Sequence, residues 1–183
     1  MRFIKNSIAA LGFIYVLPLY SVDVNFRGTL HDVPCTLGNY TQDILFEEMS
    51  TQAFNSGQQT GTKEIKIQLN NCSDLMLKQV KISFSGDKEL EMQNMSDYYI
   101  SVTGKNRGKL AIAIYDSNND GTISSNLLKI NSFHNSGKGS SIINGNQTIH
   151  FGAFVKATPK AIINKLVVSD SYSAVINFSI NYD

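Results

Sequence analysis

The side chains with the clearest chemistry in this sequence are two cysteines, Cys35 and Cys72. In an exported chain an even pair reads as one disulfide. Neither cysteine sits in a C-x-x-C and no histidine cluster lies near them, so a metal or catalytic pair is the weaker reading. The bridge would close a loop of about 38 residues, for which the chain-entropy account gives an upper contribution of roughly 4 kcal/mol.

Other chemistry-bearing spacings are fragmentary. Asp116-x-Asn118-x-Asp120-Gly121 matches the first half of a calcium loop, but Leu127 stands where a bidentate glutamate is needed and no helices flank it. A β-turn closed by Asp-Gly is the simpler account. Gly137-Lys-Gly-Ser-Ser141 lacks the spacing and the following helix of a phosphate loop. His31, His134 and His150 are isolated from one another, and His150 falls on the polar phase beside Ile149 and Phe151, which reads as solvent-facing. Glu47 and Glu48 form no acid–base pair at a useful spacing. No G-x-S-x-G is present. No catalytic residue, metal site or cofactor is expected, which leaves binding or assembly as the chemistry to look for.

The elements that would carry such a role are strands. The last ten residues, Ala174 to Asp183, place Ile176, Phe178, Ile180 and Tyr182 on one face and Asn177, Ser179 and Asn181 on the other. That is a half-buried strand running to the end of the sequence, so its neighbour must come from earlier in the chain or from another molecule. A second alternating run, Val22, Val24 and Phe26 against Asp23, Asn25 and Arg27, lies ahead of Cys35. One run has the form of an acceptor and the other of a donor.

Composition supports this. The 183 residues include 16 basic and 15 acidic side chains, so no charge excess points to nucleic acid, and 42% apolar residues are enough for a core. Arg2 and Lys5 precede an apolar stretch from Ile8 to Leu17, about ten residues and too short to cross a bilayer. With Leu19-Tyr-Ser21 it reads as a secretory signal peptide over residues 1–21, cleavage after Ser21 being favoured over Tyr20; a hydrophobic first strand is the alternative. Further alternating or apolar runs are found at Leu30–Leu37, Ile44–Phe46, Lys63–Leu69, Val80–Phe84, Tyr98–Val102, Leu110–Tyr115, Leu127–Ile130 and Thr148–Ala157. Residues 50–62 read as a polar loop, 88–97 carry no pattern, and Thr158-Pro159 opens a helical turn or two. Leu110–Tyr115 is apolar on both faces and reads as a central strand. Many short strands with almost no helix make an all-β sandwich of immunoglobulin-like size.

Several of these segments resemble the subunits of chaperone–usher pili. Val24-Asn-Phe-Arg-Gly-Thr-Leu-His-Asp-Val-Pro-Cys35 resembles their N-terminal extension leading through a glycine into a first strand that ends in cysteine. Leu69-Asn-Asn-Cys72 resembles the partner-cysteine segment, Gly108 to Asp116 the central strand and its turn, and Phe151 to Ala157 the penultimate strand region; Tyr182 stands as in their C-terminal motif. The short extension, and the stretch from His134 to Ala161, are most similar to adaptor-type minor subunits of P-pilus-like tips. One departure is Asp170, where the family usually has glycine, which bears on the turn there.

The resemblance implies an incomplete immunoglobulin-like sandwich that lacks its C-terminal seventh strand and is completed in trans. Residues 22–28 would be a donor extension and 29–183 the pilin domain. Val22, Val24 and Phe26 would supply donor side chains; Ile176, Phe178, Ile180 and Tyr182 would line the acceptor groove, and Asp183 would meet basic residues of a periplasmic chaperone. The chaperone would lend a strand, and at the outer-membrane usher the extension of a neighbouring subunit would replace it. The implied product is a tip adaptor of a cell-surface fimbrium. A rod or terminator pilin is the alternative, and openness of the groove at its far end separates adaptor from terminator. A secreted carbohydrate-binding sandwich displaying Tyr98 and Tyr99 is a more distant alternative.

Overall fold

The computed structural model of the chain describes residues 34–75 and 77–183. The expected signal peptide 1–21, the expected extension 22–28 with Val22, Val24 and Phe26, His31, and the strand signal from Leu30 to Val33 lie outside the described residues.

In chain order the elements are β1 (Thr36–Leu37), α1 (Thr51–Asn55), β2 (Lys63–Cys72), β3 (Gln79–Ser85), β4 (Tyr99–Ser101), β5 (Leu110–Ser117), β6 (Ile123–Leu127), β7 (Ser140–Ser141), β8 (Gly145–Ala157), α2 (Pro159–Asn164) and β9 (Asn177–Tyr182). They form two antiparallel sheets. The larger has the order β1-β2-β8-β5-β4, with β6 paired to β5; the smaller has the order β7-β3-β9. Ile65, Ile67 and Leu69 of β2, Ile149, Phe151, Ala153 and Val155 of β8, and Leu110, Ile112 and Ile114 of β5 are buried together with Val80, Ile82 and Phe84 of β3. These are the inward phases expected from period-two patterning. Phe84 meets Phe151 edge-on, ring centroids 4.9 Å apart, and so ties the two sheets.

β5 is central, flanked by β8 and β4, and its second face is also covered. Ala111 and Ala113 lie buried with Phe154, Tyr99 and Met92 in a separate cluster. Met92 comes from a 3-10 segment, Leu90–Tyr98, broken by a kink at Gln93 (φ 54°, ψ −123°). That broken geometry is why residues 88–97 have no readable period. Tyr99 is core and Tyr98 half-exposed, so the pair forms no exposed aromatic platform.

Three local expectations are corrected. Ile44–Phe46 is irregular chain rather than a strand. Side-chain amides occupy the β2 groups that a strand there would have used: Asn39 Nδ2 donates to Lys66 O (2.9 Å), Asn39 Oδ1 accepts Gln68 N–H (3.0 Å), and Gln42 Oε1 accepts Lys66 N–H (3.0 Å). Residues 50–62 are not all loop: Ser50 caps α1 by accepting Ala53 N–H, and Phe54 is the one side chain the helix buries. The run beginning at Leu127 is the end of β6, whose Ser-Ser-Asn centre hid it; Leu128 and Ile130 then turn into the core. At the other short helix the expectation holds: Pro159 occupies its first turn, Thr158 caps it, and the left-handed Lys165 (φ 50°) ends it.

The turn after β5 uses its acidic side chains on its own backbone. Asp120 Oδ1 accepts from Thr122 N–H (3.0 Å) and Thr122 Oγ1 (2.7 Å), while the buried Asp116 accepts the N–H of Ser117 (2.7 Å) and of Asn135 (3.0 Å). Asp170 is not among the residues at positive φ; it accepts Ser171 N–H (3.0 Å) and faces Lys105 at 3.6 Å. The glycine usual in the family is therefore not required by this turn.

Candidate strand-acceptor groove

From residue 171 to 183 exposure alternates without a break. Tyr172, Ala174, Ile176, Phe178, Ile180 and Tyr182 are half-buried, and the residues between them are exposed. The half-buried row packs on the core. Its register against β3 sets Val80 opposite Tyr182, Ile82 opposite Ile180 and Phe84 opposite Phe178. The β3 row is fully buried, at 0–3% exposure, whereas its β9 partners are not.

The difference is positional. β3 has neighbours along both edges, β7 and β9; β9 pairs with β3 alone among the described residues. Its outer edge therefore presents unpaired backbone N–H and C=O groups beside a row of incompletely covered apolar side chains. Burial raises the Tyr172 and Tyr182 hydroxyls above the ordinary phenol range, so this row is uncharged at physiological pH.

On the outer face Ser83 and Ser179 hydroxyls meet at 2.8 Å, and Lys81 forms an ion pair with the Asp183 side chain. The main-chain oxygen of Asp183 accepts Lys78 N–H (2.7 Å) and Gln79 N–H (3.0 Å), and Asp183 N–H donates to Gln79 O (3.0 Å). Asp183 is thus already held by β3, and a basic partner reaching it would have to share or replace Lys81.

Ile44, Phe46 and Met49 form a second half-buried apolar group against the core. A cavity of about 340 Å³ brings the two segments together: Met49 and Phe54 line it from one side, Asn106 and Leu110 from another, and Val167, Val168 and Tyr172 along the approach to β9.

Ile176, Phe178, Ile180 and Tyr182 therefore fall on one continuous face, with Asp183 at its end. Cys35 and Cys72 are disulfide-bonded, Cα atoms 4.1 Å apart, which pins the start of β1 to the end of β2. Met49, Phe54, Asn106 and Val167 at the cavity were not legible as site residues. They come from distant, unpatterned segments, and only the folded chain brings them together.

No family model matches the chain. Among known proteins, the fimbrial adapter PapK of Escherichia coli is 34% identical over 164 residues, which is 87% of this chain and 87% of that protein. The crystal structure of the P pilus rod subunit PapA superposes with a TM-score of 0.66 at 20% identity, over 82% of this chain and all of that one. A structure of a chaperone–usher pilus gives 0.64 at 21% identity, over 93% of this chain and all of the other. The two structural likenesses support the sandwich fold; the sequence likeness to PapK, across nearly the whole of both proteins, goes further. The chain belongs to the fimbrial subunits of chaperone–usher pili.

Proposed function

We propose that this chain is a minor, tip adaptor-type subunit of a chaperone–usher pilus, exported through the periplasm and built into a cell-surface fimbrium by donor-strand exchange. The observation that carries the reading is β9: an edge strand whose apolar row is only half-buried and whose outer edge has no partner among the described residues. Such an edge invites strand addition, in which backbone hydrogen bonds supply pairing and alternate side chains fill pockets. The similarity to a fimbrial adapter supports the adaptor position. The cavity beside the approach to β9 supports this position over a terminator.

In this reading residues 1–21 are removed on export and residues 22–28 form the donor extension. A periplasmic chaperone covers the β9 edge first, with a basic group drawn to Asp183. At the outer-membrane usher a neighbouring subunit's extension takes its place, while Val22, Val24 and Phe26 of this chain enter the groove of the subunit on the other side. Burying one such Val or Phe contributes about 1.5–3 kcal/mol. The role is structural, with no cofactor.

The test is periplasmic expression of the chain alone and with a pilus chaperone, followed by size-exclusion chromatography. A stable one-to-one complex, with aggregation or degradation of the lone chain, is the expected result. A monomer that unfolds cooperatively without any partner would sink the reading and favour the glycan-binding sandwich. Phe26→Asp should retain the chaperone complex and lose donation to a neighbour; loss of the chaperone complex would reverse the assigned roles.

A further inference from the structure

Between α2 and β9 the chain passes the cavity as a short irregular segment, and two asparagine side chains hold it. Val167 donates its N–H to Asn55 Oδ1 (3.0 Å), and its carbonyl accepts Asn55 Nδ2 (3.3 Å). Val168 donates its N–H to Asn106 Oδ1 (3.1 Å), and its carbonyl accepts Asn106 Nδ2 (3.0 Å). A primary amide offers a donor and an acceptor side by side, so each asparagine satisfies a full backbone residue as a neighbouring strand would.

The two amides come from different walls. Asn55 is the last residue of α1, and Asn106 sits in the turn before β5. Consecutive residues of one segment are thus tied to two separate parts of the chain, α1 and the turn before β5. Met49, Thr51 and Phe54, from α1 and the chain before it, line the cavity together with Asn106, Val167 and Val168. α1 is five residues long and buries Phe54 alone. Asn106 is 1% exposed, so losing its partner would leave a buried amide unsatisfied.

We propose that Asn55 and Asn106 are positioning residues that set the width of this cavity, with Val167–Val168 as the strut between them. What enters rests on the strand-acceptor reading: an apolar side chain at one end of an extended donor segment. The spacing of the walls does not depend on that reading.

Spin labels at the exposed positions of Gln52→Cys and Arg107→Cys report the distance across the cavity by pulsed electron paramagnetic resonance. The measurement uses the full mature chain with its disulfide intact, alone or in complex with the chaperone, whichever form expression delivers. A chain that proves self-sufficient would end the strand-acceptor reading and leave this test standing. The parent chain should give one narrow distance. Asn55→Ala and Asn106→Ala should broaden it and speed amide exchange at Val167 and Val168, respectively, by about tenfold, the change expected for a hydrogen bond of ordinary net strength. Asn55→Asp and Asn106→Asp keep the acceptor for each N–H and should restore most of the narrow distribution; they also serve if an alanine variant fails to fold. Unchanged distances in the alanine chains overturn the proposal, as does a broadening that neither aspartate variant reverses.

Discussion

His134 Nδ1 accepts the backbone N–H of Ile82 at 2.9 Å, so an imidazole stands in the smaller sheet where the carbonyl of a neighbouring strand would. His134 N–H also donates to Ile82 O at 2.9 Å. Its Nε2 lies 2.9 Å from Ser140 Oγ, which in turn donates to Asn118 O at 2.9 Å. With Nδ1 accepting and Ser140 Oγ donating onward, the ring proton sits on Nε2 and the imidazole is neutral. The ring, fully buried, meets Phe151 edge-on at 5.5 Å. The His134 loop thereby continues the cover of β3 along its β7 edge without a regular strand, whereas β9 has no such cover on its outer edge among the described residues.

This arrangement predicts acid sensitivity. Burial pushes the His134 pKa below 6.5, against the opposing pull of the nearby Asp116 charge. The unfolded chain then binds more protons than the folded chain between that lowered value and about 6.5, so stability is complete above about 6.5 and declines as pH falls through the window. The slope from this group is at most about 1.4 kcal/mol per pH unit. Urea denaturation at about pH 7 and about pH 5 should show His134→Gln losing part of the parent's pH dependence. Parallel profiles for the two chains would contradict the neutral, pinned imidazole. His134→Phe should cost about 1–3 kcal/mol at either pH by orphaning Ile82 N–H.

The disulfide predicts a larger change of different origin. Cys35 and Cys72 are 37 positions apart, and opening that loop frees the unfolded chain by about 4 kcal/mol in the chain-entropy account. The Cys35→Ala/Cys72→Ala chain should fall by an amount of that order in denaturant titration. Because the bridge joins β1 to β2, amide protection should be lost first around Thr36, Leu37 and Asn70. A loss spread evenly over both sheets would mean that the bridge acts on the unfolded chain alone.

The strands with alternating apolar residues, from Ile65–Leu69 to Phe178–Tyr182, could be read from the sequence because period two in a sandwich translates directly into one buried face. The half-buried row of β9 was legible for the same reason. The apolar segment from Ile44 to Met49 was not. Ile44 and Phe46 look like a strand, but Asn39 and Gln42 satisfy β2 through side chains, a pattern with no period. α1 has one apolar anchor, Phe54, too few to announce a helix. Asn55, Asn106 and His134 act as substitutes for backbone, and nothing in the type or spacing of an isolated Asn or His says which peptide group it will meet.

Asp97 provides a test at lower pH. Its carboxylate lies 2.6 Å from Lys88 and 3.0 Å from Lys129, and hydrogen bonds to these lysines, Lys88 first, lower its pKa from 3.8 to about 2. A depressed carboxylate contributes stability that is present above about pH 4 and lost as pH falls toward about 2. The group is exposed, so added salt should weaken the effect. Asp97→Asn should lower stability by a constant amount above about pH 4, flatten the acid limb in that window, and converge with the parent toward about pH 2. Since Asp97 also presents its carbonyl to Ile130 N–H (2.8 Å), which the variant keeps, a deficit that persists below about pH 2 would point to packing rather than charge.

Gly139 and Gly137 form a matched pair for testing how tightly the loop before β7 is pressed on β3. Both have positive φ, 75° and 85°. A Cβ at Gly137 would meet nothing within 4 Å, whereas one at Gly139 would lie 2.4 Å from Val80 O and 2.8 Å from Lys81 Cγ. Left-handed backbone alone costs an L-residue about 1–2 kcal/mol, so Gly137→Ala should lose about that much. Gly139→Ala adds a clash with main chain that no rotamer can relieve, and it should lose clearly more. The displaced loop would pull Ser140 from its pairing with Val80, and Val80 stands opposite Tyr182. Gly139→Ala should therefore lower amide protection at Val80 and loosen the end of β9, while Gly137→Ala leaves both in place. Equal losses in the two chains would mean that the loop rides free of β3 and that the buried row of β3 owes its cover to something else.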